Sequence, residues 1–278
     1  SPGWNEQKVL GILKYINAVL SFNINTFKKF LYRPQFAHLW GIRRAKFCIV
    51  AGELSLERYK VRSLVGENTE VLWAHALDYD LYLENSAEDT TTCNHAVFLA
   101  TTLPQVQGDS LALGLEVTTT AENYYPSICN FFDHVEKQFD TKIEIAAHPK
   151  SNHPPYPDYH GGRRTLRGKT FEMIKNSRFV VNLWGSAIQF AILLKKPIVF
   201  ITTRELKNDT RLSSVIKAFA HSIGKTIINI DEPFTIDWEK ELYVDEKLYD
   251  DYINRYIKKR GSEELNTWQI LANRLKDI

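Results

Sequence analysis

Between Ala121 and Ile230 the sequence alternates regularly between helical and extended hydrophobic periods. It reads as helix 121–139, strand 142–147, helix 169–176, strand 178–183, helix 186–194, strand 197–202, helix 210–222 and strand 225–230. A single helix returns the chain to where it can lay the next strand parallel to the last, which a tight hairpin cannot do. The alternation therefore confines this stretch to a doubly wound α/β sheet.

Upstream, short apolar runs at 46–51, 71–75 and 96–100 predict three more strands, with a helical pattern over 54–64. Residues 5–32 place Val9, Ile12, Leu13, Ile16, Val19 and Leu20 at three- and four-residue intervals, followed by Phe27, Phe30 and Leu31 before Pro34. The polar face of this helical stretch carries few lysines, which favours packing on its own domain over a membrane surface. The Thr-rich segment from Ser86 to Cys93 is the expected linker. It divides the chain into a small N-terminal α/β unit, 1–90, and a C-terminal α/β unit, 91–278, whose last helices, 249–259 and 263–276, cover an exposed face or cross back to the first unit.

A length of 278 residues accommodates two such units, and 44% apolar with 24% charged residues excludes a disordered chain. Lys and Arg number 35 against 33 Asp and Glu, so the net charge of +2 gathers neither nucleic acid nor anionic lipid, and any anion site is local. Cys48, Cys93 and Cys129 lie far apart with no C-x-x-C pair, which suits a reducing compartment, so a cytoplasmic protein is expected. The most apolar stretch, 179–201, is interrupted by Asn182, Ser186, Gln189, Lys195, Lys196 and Pro197, which excludes a membrane span there.

In open α/β sheets ligands gather beyond the carboxyl ends of the strands, and four such ends carry chemistry here. The run 143–147 empties into His148, Pro149 and Lys150; Pro149 biases His148 toward an extended backbone, where the imidazole either donates to a phosphate or simply closes the strand. The long polar loop that follows, 151–168, brings Gly161, Gly162, Arg163 and Arg164, two guanidinium groups suited to an anion. His148, His153, Asp158 and His160 match no familiar zinc spacing, and the neighbouring basic residues disfavour a cation, so no metal is expected. The run 178–181 leads to Gly185 and Ser186 at a helix start, either a phosphate-binding turn or an ordinary N-cap. No G-x-G-x-x-G or P-loop motif occurs.

On the other side of the expected cleft, 71–74 runs into His75, Asp78 and Asp80, which serve either as general base or nucleophile or as a packed ring with turn and cap residues. Glu53 after the first strand carries the same ambiguity. The fourth end, at Ala100, opens on Thr101 and Thr102 rather than an acid.

The block 146–202, with strand, His-Pro, basic loop, helix, strand, Gly-Ser helix and then Lys196-Pro197-Ile198-Val199-Phe200, resembles the nucleotide-binding half of GT-B glycosyltransferases that build bacterial surface polysaccharides such as lipopolysaccharide O-antigen and capsule. It looks most like the transferases that handle CMP-activated acidic sugars such as Kdo or sialic acid. The resemblance implies two Rossmann-like units, of which the N-terminal one is small or truncated in this sequence, and the basic residues and helix start suit a transfer that needs neither metal nor cofactor. The resemblance carries His148, Pro149 and Ser186 over to a nucleotide-sugar donor, beside which the residues themselves offer Lys150, Arg163, Arg164 and Gly185 for the phosphate and Asp78, Asp80 and His75 for the catalytic side. The acceptor would be a glycan or lipid-linked glycan, with at most peripheral contact at the inner face of the inner membrane and no nucleic-acid partner. The competing readings are a sugar-nucleotide epimerase or hydrolase and a noncatalytic glycan- or protein-binding module.

Overall fold

The structure is a computed structural model and describes residues 41, 43–60, 65–86, 94–104, 119–151 and 159–276. The expected helix over 5–32, the linker at 87–93, and His153 and Asp158 lie outside the described residues.

The elements follow as β1 (Phe47–Val50), α1 (Glu53–Lys60), β2 (Glu70–Trp73), α2 (Leu77–Asn85), β3 (His95–Leu99), α3 (Ala121–Phe139), β4 (Lys142–Ala147), β5 (Thr165–Arg167), α4 (Thr170–Asn176), β6 (Val180–Asn182), α5 (Ile188–Leu193), β7 (Ile198–Thr202), α6 (Arg204–Asn208), α7 (Thr210–Ser222), β8 (Ile227–Asn229), α8 (Trp238–Leu242), α9 (Glu246–Tyr252) and α10 (Thr267–Lys276). Contacts group residues 1–49 and 55–72 into one compact unit, and 50–54 and 73–278 into another. In the first, β1 and β2 belong to a two-stranded sheet, and the turn before β2 is tied by Thr69, whose hydroxyl donates to the Ala45 carbonyl at 2.7 Å.

The second unit holds a six-stranded parallel sheet in the order β5-β4-β3-β6-β7-β8. Counted from its own first strand this is 3-2-1-4-5-6, the doubly wound order, whose direction reverses between β3 and β6. The inner strands are buried on both faces, as their unbroken apolar runs require: Ala96 to Phe98, Val180, Val181 and Ile198 to Ile201 are all inaccessible to solvent. Helix α3 shows the complementary pattern, burying Tyr124, Ile128, Phe131, Phe132 and Val135 along one face and ending on Asp140 in the left-handed conformation (φ 46°).

Besides the short helices α6 and α8, which the sequence reading did not include, two departures bear on the site. Residues 77–85, for which the sequence reading gave only the outlet of a strand with Asp78 and Asp80 as catalytic or as turn and cap residues, form α2, with both carboxylates in its first turn, where the helix dipole favours them. The loop 151–168 ends in β5, a three-residue edge strand too short to show alternation in the sequence.

The C-terminal segment is fastened onto the start of α2. Ala76 donates its backbone N–H to the Ile257 carbonyl at 2.7 Å, and His75 forms an antiparallel bridge with Lys258. Lys258, 7% exposed, pairs with Glu264 at 2.9 Å, and the Tyr79 hydroxyl donates to the same carboxylate at 2.8 Å. Burial pushes the Glu264 carboxyl up, but hydrogen bonds from Lys258 and Tyr79 outweigh it and leave the group below its ordinary value. A depressed carboxylate stabilises the fold above its unfolded pKa of about 4.3 and loses that contribution as pH falls through the folded value. Glu264→Gln should therefore melt below wild type at pH 7, and the gap should close on acidification below about pH 4; a gap independent of pH would mean the carboxylate's charge plays no part in the fastening.

Candidate functional site

Because the strand order reverses between β3 and β6, the connections leaving those strands part to opposite faces and leave a crevice at their carboxyl ends. The structure has a cavity of about 290 Å³ there. It is lined by Leu99 to Thr102 after β3, His148 and Pro149 after β4, Trp184 to Ala187 after β6, and Asp78, Thr170 and Phe190 from the surrounding helices.

His148 is set by its own turn. The backbone N–H of Lys150 donates to His148 Nδ1 at 3.1 Å, while Ser151, itself buried, donates to the His148 carbonyl through its N–H at 2.9 Å and its hydroxyl at 2.6 Å. With Nδ1 accepting, the neutral ring carries its proton on Nε2, an assignment drawn from the hydrogen-bond network. Nε2 can then donate to a ligand oxygen without a change of tautomer.

Gly185 takes φ 132°, a conformation L side chains rarely adopt, and turns the chain from β6 into α5. The carbonyls of Gly185, Ser186 and Ala187 accept from the N–H groups of Ile188, Gln189 and Phe190. The N–H groups of Gly185, Ser186 and Ala187, residues that line the cavity, make no hydrogen bond among the described residues. Three such donors are suited to an anionic oxygen.

Asp78 supplies a carboxylate whose pKa burial raises above the ordinary value. The cavity thus gathers a basic carboxylate, an imidazole donor, backbone N–H groups, the hydroxyls of Thr101 and Thr102, and the indole of Trp184. That set can bind an oxyanion and accept a proton beside it.

The remaining expected residues are placed elsewhere. His75 is 4% exposed and fastens the C-terminal segment: Nε2 donates to the Leu265 carbonyl at 2.8 Å, and Nδ1 lies 3.3 Å from the Thr267 hydroxyl. Asp80 accepts from the Thr267 backbone N–H at 2.9 Å and stands 3.6 Å from His75 Nε2, so both members of this pair serve the fastening, and the packed-ring reading describes His75. Two residues apart on a helix, Asp78 and Asp80 face different directions, which separates their roles.

Arg163 does not reach the cavity either, because it is drawn against α3, where it donates to Glu136 at 2.8 Å, pairs with Asp133 and lies over the Phe132 ring. Arg164 pairs with Glu144 at 3.0 Å beside β5. Lys150 is exposed and is absent from the cavity lining; what it contributes is the N–H that orients His148. His160 packs among Phe98, Phe132 and Tyr125 as a core ring. Glu53 opens α1 in its first turn.

The sequence reading missed Asn182. It closes β6 beside Leu99, which lines the cavity; Asn182 is fully buried, and neither Nδ2 nor Oδ1 of its amide has a hydrogen-bond partner among the described residues. A polar residue at the end of an apolar strand was the only signal.

No family model matches the chain, and no curated protein matches it in sequence. In three dimensions it is similar to the wall teichoic acid polymerase TagF in its H444N variant, with a TM-score of 0.52 and 15% identity over 84% of this chain and 58% of that one. The same variant soaked with CDPG gives 0.51 and 14% over the same shares. The chain spans 58% of the length of these TagF chains, and at such identities the likeness concerns the fold. The expected mixed α/β class with Rossmann-like, GT-B-like architecture is borne out. Among the described residues no helix is long and apolar enough to cross a membrane.

Proposed function

We propose that the chain carries the donor site of a glycosyltransferase that moves a sugar from a nucleotide-activated donor to a bacterial surface glycan. The observation that supports it most is the switch-point cavity, where Asp78, His148 and the Gly185 to Ala187 turn line one space. In this reading the donor's phosphate lies against the unbonded turn N–H groups and accepts from His148 Nε2, so the charge that develops on the leaving nucleotide is met by fixed donors without a metal. Asp78 removes the proton from the acceptor hydroxyl as that oxygen attacks the anomeric carbon.

The resemblance of the His-Pro and Gly-Ser segments favours a CMP-activated acidic sugar such as Kdo or sialic acid as donor. The fold likeness to a wall teichoic acid polymerase favours a surface-polymer acceptor, glycan or lipid-linked, met at the inner face of the membrane.

Thermal-shift and calorimetric titration with CMP, UDP, GDP and ADP tests the donor site, since a ligand that binds only the folded state raises Tm. One nucleotide, CMP on this reading, should stabilise the protein, and His148→Ala should weaken it by roughly 10- to 100-fold, the worth of a hydrogen bond to a charged group. Indifference to all four would sink the nucleotide-sugar reading.

A further inference from the structure

A second, larger cavity of about 490 Å³ lies toward the β8 edge of the same sheet, between α7, β8 and residues 232–235. It includes Thr202 and Asn229, the last residues of β7 and β8, so it reaches the same carboxyl rim as the switch-point cavity, two strands or about 10 Å along from β6.

Several of its polar groups are already satisfied. Lys207 pairs with Glu232 at 3.2 Å, and the Thr226 hydroxyl donates to Glu241. Others are not. Ser213 is 9% exposed, lines the cavity, and its hydroxyl makes no hydrogen bond among the described residues. Asn229 accepts through Oδ1 from the Asp231 N–H, but its Nδ2 is buried with no acceptor among the described residues. Lys217 has no acidic partner among the described residues. What the cavity leaves unmet is thus a set of donors with one positive charge, over an apolar floor of Ile216, Ile228 and Phe234. Phe234 is held edge-on against Phe131 and His134, which fixes that floor.

A ligand that fits has many acceptor oxygens, one negative charge and an apolar face. Inorganic phosphate supplies the first two and cannot cover Ile216 and Phe234; a neutral sugar supplies the first and third and leaves Lys217 unpaired. A carboxylated pyranose supplies all three. We infer that this cavity is a binding site for an acidic sugar, with Lys217 facing the carboxylate and Ser213 and Asn229 Nδ2 donating to ring hydroxyls. Its role as a holding site for an acidic unit of the acceptor glycan rests on the transferase reading, whereas its affinity for the sugar does not.

The test titrates the intact protein with glucuronic acid, glucose and inorganic phosphate, followed by saturation-transfer NMR, with CMP titrated in parallel. Glucuronic acid should bind saturably and more tightly than either control, and Lys217→Gln and Ser213→Ala should each weaken it by about tenfold while leaving CMP affinity unchanged. Lys217 is exposed, so its variant keeps the fold. No binding of glucuronic acid, equal binding by the Lys217 variant, or phosphate binding as tightly as glucuronic acid would each overturn the inference. Failure of CMP alone would sink the donor reading and leave the sugar site standing.

Discussion

Asp78→Asn should abolish most of the turnover while leaving the nucleotide bound and the protein at least as stable. The loss expected for removing a general base is roughly 10²- to 10⁴-fold, and because the carboxylate accepts a proton from the acceptor rather than holding the donor, nucleotide affinity should stay within about twofold. The stability half follows from the sign of its shift. Burial raises the carboxyl's pKa in the folded chain, so its contribution to stability is full below the unfolded value and is lost as pH rises through the folded one. At neutral pH the ionised group is a burden to the fold, and a neutral amide of the same shape removes it. The same shift places the acid limb of the wild-type pH–rate profile above the ordinary aspartate value of about 3.9. Turnover unchanged in Asp78→Asn would remove this residue from the chemistry and, with His75 and Asp80 engaged in fastening the C-terminal segment, would favour a module that binds without catalysing.

What was legible in the sequence tracks the range of the forces involved. Local periodicity reports which residues of an element are buried, and it found eight of the ten strands and helices between 121 and 230 to within a few residues, missing the one-turn helix α6 and β5. It could not see β5, whose three residues are held by pairing with β4 rather than by any pattern of their own. Nor could it separate Asp78 from Asp80. One faces the cavity and the other accepts from Thr267, 187 residues away in sequence, and no local pattern encodes that partner. His75 illustrates the same limit: a histidine after a strand looks alike whether it faces a ligand or, as here, a carbonyl 190 residues on.

Arg163 and Arg164 show a different failure. A pair of arginines beside two glycines signals an anion, and the sequence pattern cannot say whether that anion is a ligand or the protein's own carboxylates. Glu136 and Asp133 stand one turn apart on α3 and meet Arg163 from one side, and Glu144 on β4 takes Arg164. The residues that did converge, His148, Pro149, Gly185 and Ser186, share a simpler property: each lies within a few residues of the carboxyl end of a strand, and the strand order alone brings β4 and β6 to either side of β3.

Asn182→Leu should raise the melting temperature and weaken the nucleotide together. A buried amide with neither donor nor acceptor satisfied costs about 1–3 kcal/mol, and leucine fills similar space without that penalty. For a chain of this size the gain corresponds to a rise of roughly 2–6 °C. A polar group kept at such a cost beside a cavity is the pattern of a site that trades stability for function. Asn182 stands in register with Leu99, which lines the cavity, and lies three residues before Gly185, where the turn with unbonded N–H groups begins, so its amide is placed to steady that turn or to meet the ligand through it. Loss of about tenfold in nucleotide affinity, equivalent to about 1.4 kcal/mol, would then accompany the gain in stability. The two readouts divide the alternatives: a higher melting temperature with unchanged affinity would make Asn182 a tolerated flaw in the core, whereas a lower melting temperature would mean that its amide is satisfied in solution and that the turn depends on it even without a ligand.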